Sequence, residues 1–160
     1  MAKILITALM VLSSSAFSQD SLKSVVSVFY FGGSDCPYCV DARNVRHINE
    51  MRAQMPKTYP DSTLKFVLVV MDKDIKGGLR YAGKYPNWNE VSIGGFYNNE
   101  LMLEHVNVTH LPGVPHIIVY HDLLKTGKYN IPTIQKRDLL VDLVGESAIA
   151  SWIVKGYQLK

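Results

Sequence analysis

The apolar residues in the first half of this chain form two continuous runs separated by a segment of helical spacing. Val25–Phe31 and Leu64–Met71 are almost wholly apolar, which is typical of strands buried on both faces in the middle of a sheet. Between them the pattern predicts a helix from about Cys36 to Met55, ended by Pro56. Its inward stripe is Val40, Val45, Ile48, Met51 and Met55. A strand, a helix and a strand of these lengths form a βαβ unit, so we expect parallel strands.

The second half of the chain carries shorter apolar segments. Two of them have the length and composition of strands, and two have helical spacing. In chain order they are a short helix from Asn98 to about Val106, a third strand at His116–Tyr120, a fourth strand at Asp138–Val144, and a closing helix from Glu146 to about Lys155. The whole pattern predicts an α/β fold with four strands.

Two stretches do not fit this pattern. Residues 77–97 are rich in glycine, asparagine and aromatic residues without a sustained period, and we predict an excursion in the form of a long loop. Its aromatic side chains either pack on the core or offer a surface to a partner, and the sequence leaves both readings open. Residues 122–137 are largely polar around Gly127 and Pro132, which predicts a second excursion, a turn or hairpin.

The N-terminus has the pattern of an export signal rather than of a folded element. Lys3 is followed by an apolar run, Ile4–Leu12, and then by small residues up to Ser18. Cleavage after Ser18 would start the mature chain at Gln19, with neighbouring sites fitting almost as well. The alternative is an uncleaved anchor, but about nine apolar residues fall short of the ~20 that a membrane span needs. We therefore expect a signal peptide at 1–18, a single domain at 19–160, and a periplasmic or secreted protein.

Composition and charge narrow the classes of partner. The chain has 160 residues, of which 48% are hydrophobic and 19% charged, as expected for one globular domain with its own core. The net charge of +3 is small, and no basic cluster is interleaved with aromatic residues. We therefore expect no nucleic acid as partner, and no transmembrane segment after cleavage.

The two cysteines of the chain lie together in Cys36-Pro37-Tyr38-Cys39, directly after the first strand. A bridge across a two-residue gap removes little loop entropy from the unfolded chain, so a structural staple explains the pair poorly. At a helix start, free N–H groups and the positive dipole end stabilise a thiolate. The spacing and position therefore predict a redox pair, with Ser34 or Asp35 capping the helix.

The order of elements resembles that of the thioredoxin superfamily. The resemblance covers about Val25 to Lys155, apart from the two excursions. It rests on the Cys-Pro-Tyr-Cys segment, on Gly113-Val114-Pro115 before the third strand, and on Val144-Gly145 before the closing helix. It implies a thioredoxin-like fold with a central mixed four-stranded sheet flanked by helices.

The resemblance also implies roles for individual residues. Cys36 would be the exposed nucleophile and Cys39 the buried resolving thiol, so their disulfide is the redox group and no separate cofactor is expected. The family has a cis-proline at the position of Pro115, and the sequence alone leaves its isomer open. The implied substrate-binding residues are Pro37, Tyr38, Val114 and Pro115.

Three features depart from the family pattern. The tetrapeptide looks like that of glutaredoxins, yet the chain has an export signal and no recognisable glutathione-site pattern. Tyr30 stands where thioredoxins carry a buried acid. Asp35 stands where they place a tryptophan, and a carboxylate there opposes a thiolate at Cys36 unless it points away as a cap.

The sequence thus predicts an exported thiol–disulfide oxidoreductase acting on thiol- or disulfide-containing exported proteins. A membrane redox partner would recycle it, and we expect a monomer. Oxidase and reductase directions both remain open.

Two other classes remain as alternatives. The first is a copper or zinc protein that uses the two thiolates and one histidine. The candidate third ligands are His105, His110, His116 and His121, of which His116 is best placed beside Pro115. The second is a binding protein on the same scaffold, supported by the aromatic excursion at 77–97 alone.

Overall fold

The computed structural model of the 160-residue chain describes residues 22–94, 99–105 and 113–159. The predicted signal peptide, His110 and parts of the 77–97 excursion lie outside these ranges. The described part contains five strands and five α-helices. In chain order they are β1 (Leu22–Gly32), α1 (Pro37–Val40), α2 (Ala42–Thr58), β2 (Leu64–Val70), α3 (Ile75–Ala82), β3 (Glu90–Ile93), α4 (Glu100–His105), β4 (His116–Thr126), β5 (Pro132–Val144) and α5 (Glu146–Val154).

The strands form one mixed sheet in the order β3-β2-β1-β4-β5. β1 and β2 are parallel, as predicted, and β2 and β3 are parallel as well. β4 runs antiparallel to both β1 and β5. The α/β class and the mixed sheet are confirmed, but the predicted count of four strands is wrong. The fifth strand, β3, has only four residues, and none of them is fully buried, so it lacks a hydrophobic signature.

The sheet separates two apolar layers. On one face, β1 and β2 pack against α2, α3 and α5 through residues that include Tyr30, Ile48, Tyr81 and Trp152. On the other face, a smaller cluster that includes Phe31 and Met102 packs under α4. This arrangement places the ends of β1 and β2, and the turns that follow them, at one edge of the molecule.

The long helix predicted from Cys36 to Met55 is wrong in two respects. It is divided at Asp41, whose backbone is non-helical (φ −56°, ψ 130°) and whose carboxylate accepts the N–H groups of Arg43 and Asn44 at 2.9 and 3.4 Å. Asp41 thereby caps α2 as a separate helix. At the other end, α2 continues past Pro56 to Thr58, because the one backbone bond that proline forgoes lies in an exposed last turn.

The predicted loop at 77–97 is also wrong over its described part, which contains most of α3 and the whole of β3. Gly77 and Gly78 are buried on the inner face of α3. A Cβ atom at Gly78 would lie only 2.5 Å from Ile93 Cγ2. The two glycines therefore let α3 approach the sheet closely, and a helix lined with glycine shows no apolar stripe in the sequence.

This close packing leads to a stability prediction. Replacing Gly78 with Ala is expected to lower the free energy of unfolding by about 1–3 kcal/mol, because α3 must shift away from Ile93. The matched control is Gly83→Ala at the end of the same helix. A Cβ atom there would come no closer than 3.5 Å to its neighbours, and the backbone is right-handed helical, so we expect no loss. Urea unfolding of both variants measures the difference, and equal effects would contradict this account.

The second excursion, at 122–137, is a hairpin, as predicted. β4 and β5 continue as paired strands up to Thr126 and Pro132, so both are longer than their apolar cores. Two register shifts interrupt the pairing, between Val119 and Tyr120 and between Leu123 and Leu124. Bulges of this kind twist an edge strand and hinder its pairing with other chains.

Among the described helices, none is long and apolar enough to cross a membrane.

Candidate functional site

The two cysteines lie where β1 ends and α1 begins. Cys36 and Cys39 form a disulfide. Cys39 is fully buried in the core layer, whereas Cys36 is half-buried. Tyr38 between them exposes 66% of its surface, and Pro37 is exposed as well. Cys36 is therefore partly accessible from solvent, and Cys39 is not.

Cys36 itself occupies the cap position of α1, so the predicted capping by Ser34 or Asp35 is wrong. The backbone N–H of Cys39 points at the Cys36 Sγ, with an N–S distance of 3.1 Å. α1 is a single turn, and the helical conformation is interrupted at Asp41. The positive end of the dipole of α2 therefore lies at Asp41 and not at Cys36. Among the described residues, this N–H is the hydrogen-bond donor to the Cys36 sulfur, and it would be the local support for a thiolate.

Ser34 and Asp35 instead bind the residues that follow β2. The N–H of Ser34 donates to the buried carboxylate of Asp72 at 3.1 Å, and the Ser34 hydroxyl donates to the same carboxylate. Asp35 pairs with Lys73 at 3.1 Å, and both side chains are exposed. Sequence reasoning did not single out Asp72. The feature that could have identified it is a carboxylate directly after a buried parallel strand, next to the turn that carries the cysteines.

The segment before β4, Gly113-Val114-Pro115, lies next to the disulfide. The peptide bond between Val114 and Pro115 is cis. The carbonyl oxygen of Val114 is 3.4 Å from the Cys36 Sγ. Gly145 N–H donates to the Pro115 carbonyl at 2.8 Å, so the turn before α5 fixes this segment. The structure thus brings Val114 to Cys36, while Pro115 is buried behind it.

Known structures share this arrangement of elements. Tryparedoxin I from Leishmania major aligns with a TM-score of 0.54 and 17% identity over 84% of this chain and 77% of that one. Native tryparedoxin I from Crithidia fasciculata gives a TM-score of 0.53 and 20% identity over 82% and 74%. The chain has a thioredoxin fold. The sequence matches no protein-family model and no curated protein, so the likeness lies in three-dimensional structure.

In this thioredoxin fold, Tyr30 belongs to a buried cluster of hydroxyl groups beneath the cysteines. Its hydroxyl accepts from Asn44 Nδ2 at 3.0 Å and lies 3.4 and 3.3 Å from the hydroxyls of Tyr81 and Tyr85. The Tyr85 hydroxyl donates to the Cys39 carbonyl at 3.0 Å. We call Tyr30, Asn44, Tyr81 and Tyr85 the tyrosine cluster.

The tyrosine cluster is uncharged at neutral pH. Burial raises the pKa of Tyr30, and burial together with the neighbouring tyrosines raises the pKa of Tyr81 and Tyr85. A hydrogen-bonded neutral group thus lies beneath the disulfide, and it contacts Cys39 through the peptide carbonyl. Sequence reasoning identified Tyr30 but missed the other three, because they come from elements that only the fold brings together.

The described histidines do not join the cysteines. His116 is fully buried, with Nε2 2.5 Å from Asp142 Oδ1, and His121 Nε2 is 2.8 Å from the Ser24 hydroxyl. His105 packs between Phe29 and Tyr120. Over residues 22–94, 99–105 and 113–159, no three metal-ligating side chains come together, so no observation in those ranges favours the copper or zinc alternative.

A charged cluster lies on the α4 face of the sheet, away from the cysteines. Arg137 binds the Asp122 carboxylate at 2.7 and 3.0 Å, and Ser27 donates to it at 2.7 Å. Burial alone would raise the pKa of Asp122, but the hydrogen bonds from Arg137 and Ser27 outweigh it, and the pKa lies below its ordinary value. His105 and Glu104 border this pair on α4.

His105 makes stability depend on pH. Burial lowers its pKa; Glu104 and Asp122 oppose this shift and Arg137 adds to it. The folded chain therefore binds fewer protons at His105 than the unfolded chain, so stability falls as pH drops below the ordinary value of about 6.5. We expect the free energy of unfolding to decrease from pH 7 to pH 5, and His105→Gln to flatten that slope. Urea unfolding at several pH values tests this, and equal slopes would refute it.

Proposed function

We propose that this chain is an exported thiol–disulfide oxidoreductase. The observation that carries the proposal is the pairing of a half-buried Cys36 with a fully buried Cys39, next to the cis-proline segment. A disulfide with one accessible sulfur suits exchange better than stapling. The thioredoxin fold supports this proposal by analogy.

The exchange proceeds in two steps. The thiolate of Cys36 attacks one sulfur of a substrate disulfide, which forms a mixed disulfide and releases the other substrate sulfur as a thiolate. Cys39 then attacks the Cys36 sulfur, closes the intramolecular disulfide and releases the second substrate thiolate. Two electrons pass from the chain to the substrate, and the reverse sequence donates a disulfide.

The residues around Cys36 would hold the substrate in place. An extended substrate segment can pair with the backbone of Val114, in the manner of an added strand. Its cysteine would then lie over the Cys36 sulfur, since the Val114 carbonyl is already 3.4 Å from it. Pro37 and Tyr38, both exposed, would supply apolar contacts beside the attacked sulfur, and Pro115 would hold Val114 in position.

We further propose the reductase direction. A strongly oxidising pair requires a stabilised reduced form, in which the accessible thiolate is well supported. Here the described polar neighbours of the Cys36 sulfur are one N–H donor and one carbonyl oxygen, and a carbonyl does not stabilise negative charge. Asp35, the residue before Cys36, adds no positive charge at the sulfur, because its carboxylate pairs with Lys73. The reduced form therefore gains little, which favours a reducing potential.

The remaining features of the proposal come from the sequence. The N-terminal pattern supports export to the periplasm or beyond. A reductase outside the cytosol requires electrons from a membrane redox partner, and its substrates would be exported proteins with disulfides. We propose that it acts as a monomer.

Catalysed reduction of a protein disulfide tests the proposed function. The exported, processed protein should accelerate the reduction of insulin disulfides by dithiothreitol. Two controls apply: dithiothreitol alone, and the protein with both cysteines alkylated. Acceleration by the alkylated protein, or none by the native protein, would reject the proposal.

A further inference from the structure

The tip of the β4–β5 hairpin combines exposed apolar side chains with lysines. We define the basic tip as residues 22–24 of β1 together with residues 123–136 of the hairpin. Within it, the exposed fraction is 56% for Leu22, 79% for Tyr129, 60% for Ile131 and 49% for Ile134. These side chains lie at one end of the sheet, since Leu22 pairs with Lys125. Together they form an exposed apolar group at this end of the sheet.

The turn at the tip holds an aromatic side chain in an unfavourable backbone conformation. Tyr129 and Asn130 have φ values of 67° and 58°, a region that suits glycine or asparagine but disfavours tyrosine. Gly127 N–H closes the turn onto the Ile131 carbonyl at 2.9 Å. Tyr129 therefore presents an exposed aromatic ring at the turn of the hairpin.

The charge of the basic tip has one sign. Its residues include Lys23, Lys125, Lys128 and Lys136 and no aspartate or glutamate. Asp138, just beyond the tip, pairs with Lys136 at 2.7 Å. The whole chain carries a net charge of only +3, so positive charge is concentrated at this end. Such a surface is complementary to an anionic one.

The basic tip lies at the end of the sheet opposite the disulfide. β4 starts at His116, next to the cis bond, and reaches the tip at Thr126. At about 3.3 Å per residue, ten residues separate the two ends by about 33 Å. β1 also begins at this end, with Leu22.

We propose that the basic tip docks on the surface of a bilayer containing anionic phospholipid. Tyr129 and Ile131 lie at the level of the headgroups, where aromatic and aliphatic side chains anchor proteins, and the positive charge of the tip attracts lipid phosphates. The disulfide then points away from the bilayer, about 30 Å above it. A protein partner fits less well, because a stable protein interface needs about 1,200 Å², more than a few side chains at a turn supply.

Vesicle binding tests the proposal independently of redox activity. The processed protein is sedimented with vesicles of phosphatidylglycerol and phosphatidylcholine, and with vesicles of phosphatidylcholine alone. We expect binding to the anionic vesicles at least about tenfold stronger, and weakened by salt. The double variant Tyr129→Ser/Ile131→Ser should lose about tenfold. Lys23→Gln/Lys125→Gln should reduce the salt dependence.

The matched control is Val154→Ser on α5, which removes an apolar side chain that is 85% exposed outside the tip. It should bind like the native protein. Equal binding by the tip variant, equal binding to both vesicle types, or no binding would each overturn the proposal. Self-association of the native protein that the tip variant abolishes, without vesicle binding, would overturn it in favour of a second copy. Thermal unfolding of each variant shows that it remains folded.

Discussion

Replacing Cys36 with Ser is expected to abolish disulfide exchange, with a loss of at least about a thousandfold in rate, or about 4 kcal/mol of barrier. The reason is that Cys36 is the partly exposed cysteine, while Cys39 is fully buried in the core layer and cannot attack a protein substrate first. Reduction of insulin disulfides measures the loss. A serine side chain fits the cap position of α1, so the Cys36→Ser variant should remain folded.

Cys39→Ser is the matched control, because it removes the other half of the same disulfide. This variant should still attack a substrate, but it should accumulate a mixed disulfide at Cys36 that nothing resolves. Electrophoresis without reductant and mass spectrometry would detect the adduct. An adduct that forms on Cys39 when Cys36 is replaced would reverse the assigned roles.

The second large effect concerns stability, at the Asp122–Arg137 pair. Asp122→Ala is expected to lower the free energy of unfolding by about 3 kcal/mol, because it leaves the largely buried Arg137 without its bidentate partner. The side chains expose 3% and 22% of their surface, so solvent compensates only in part. Urea unfolding at pH 7 measures the change.

An exposed ion pair provides the contrast. Lys65 and Glu90 lie 2.6 Å apart, but both side chains are almost half exposed, so Glu90→Ala should cost at most about 1 kcal/mol. Replacing both members of the buried pair, in Asp122→Leu/Arg137→Met, should recover most of the loss, since no unpaired charge remains. A similar loss of unfolding free energy for Asp122→Ala and Glu90→Ala would contradict the interpretation that burial makes the Asp122–Arg137 pair strongly stabilising.

The contribution of Asp122 to the stability of the fold also depends on pH. The folded pKa of Asp122 lies below its ordinary value, so its stabilising contribution is present above the unfolded pKa, about 3.9, and is lost as pH falls through the folded pKa. The destabilisation that comes from His105 begins earlier in the acid titration, as pH falls below about 6.5. Acid should therefore destabilise the native chain in two stages, of which Asp122→Ala removes the lower one.

The sequence was sufficient to predict an element wherever burial produced a continuous apolar run or a clear helical period. The runs of β1 and β2 and the stripe of α2 identified the parallel core, because side chains buried on both faces must be apolar. The spacing of the cysteines after β1 predicted the redox pair by similar short-range rules, whereas the place of Val114 and Pro115 beside that pair was implied by the resemblance to the thioredoxin superfamily.

The sequence failed where packing depends on what a residue lacks or on partners far along the chain. α3 was hidden because Gly77 and Gly78 form its inner face, so close contact replaced an apolar stripe. The break at Asp41 was hidden because a capping aspartate also fits a helix surface. The tyrosine cluster joins Tyr30 to Tyr81 and Tyr85 across more than fifty positions, and no local pattern links them.

The reduction potential of the Cys36–Cys39 pair tests the central claim most directly. The processed protein is equilibrated with mixtures of reduced and oxidised glutathione, and the two redox forms are quantified after rapid alkylation. We expect a two-electron equilibrium with a potential below about −200 mV, on the side of reductases. A potential near −120 mV would overturn the proposed direction. A pair that never equilibrates with glutathione would contradict the assignment of this site to disulfide exchange.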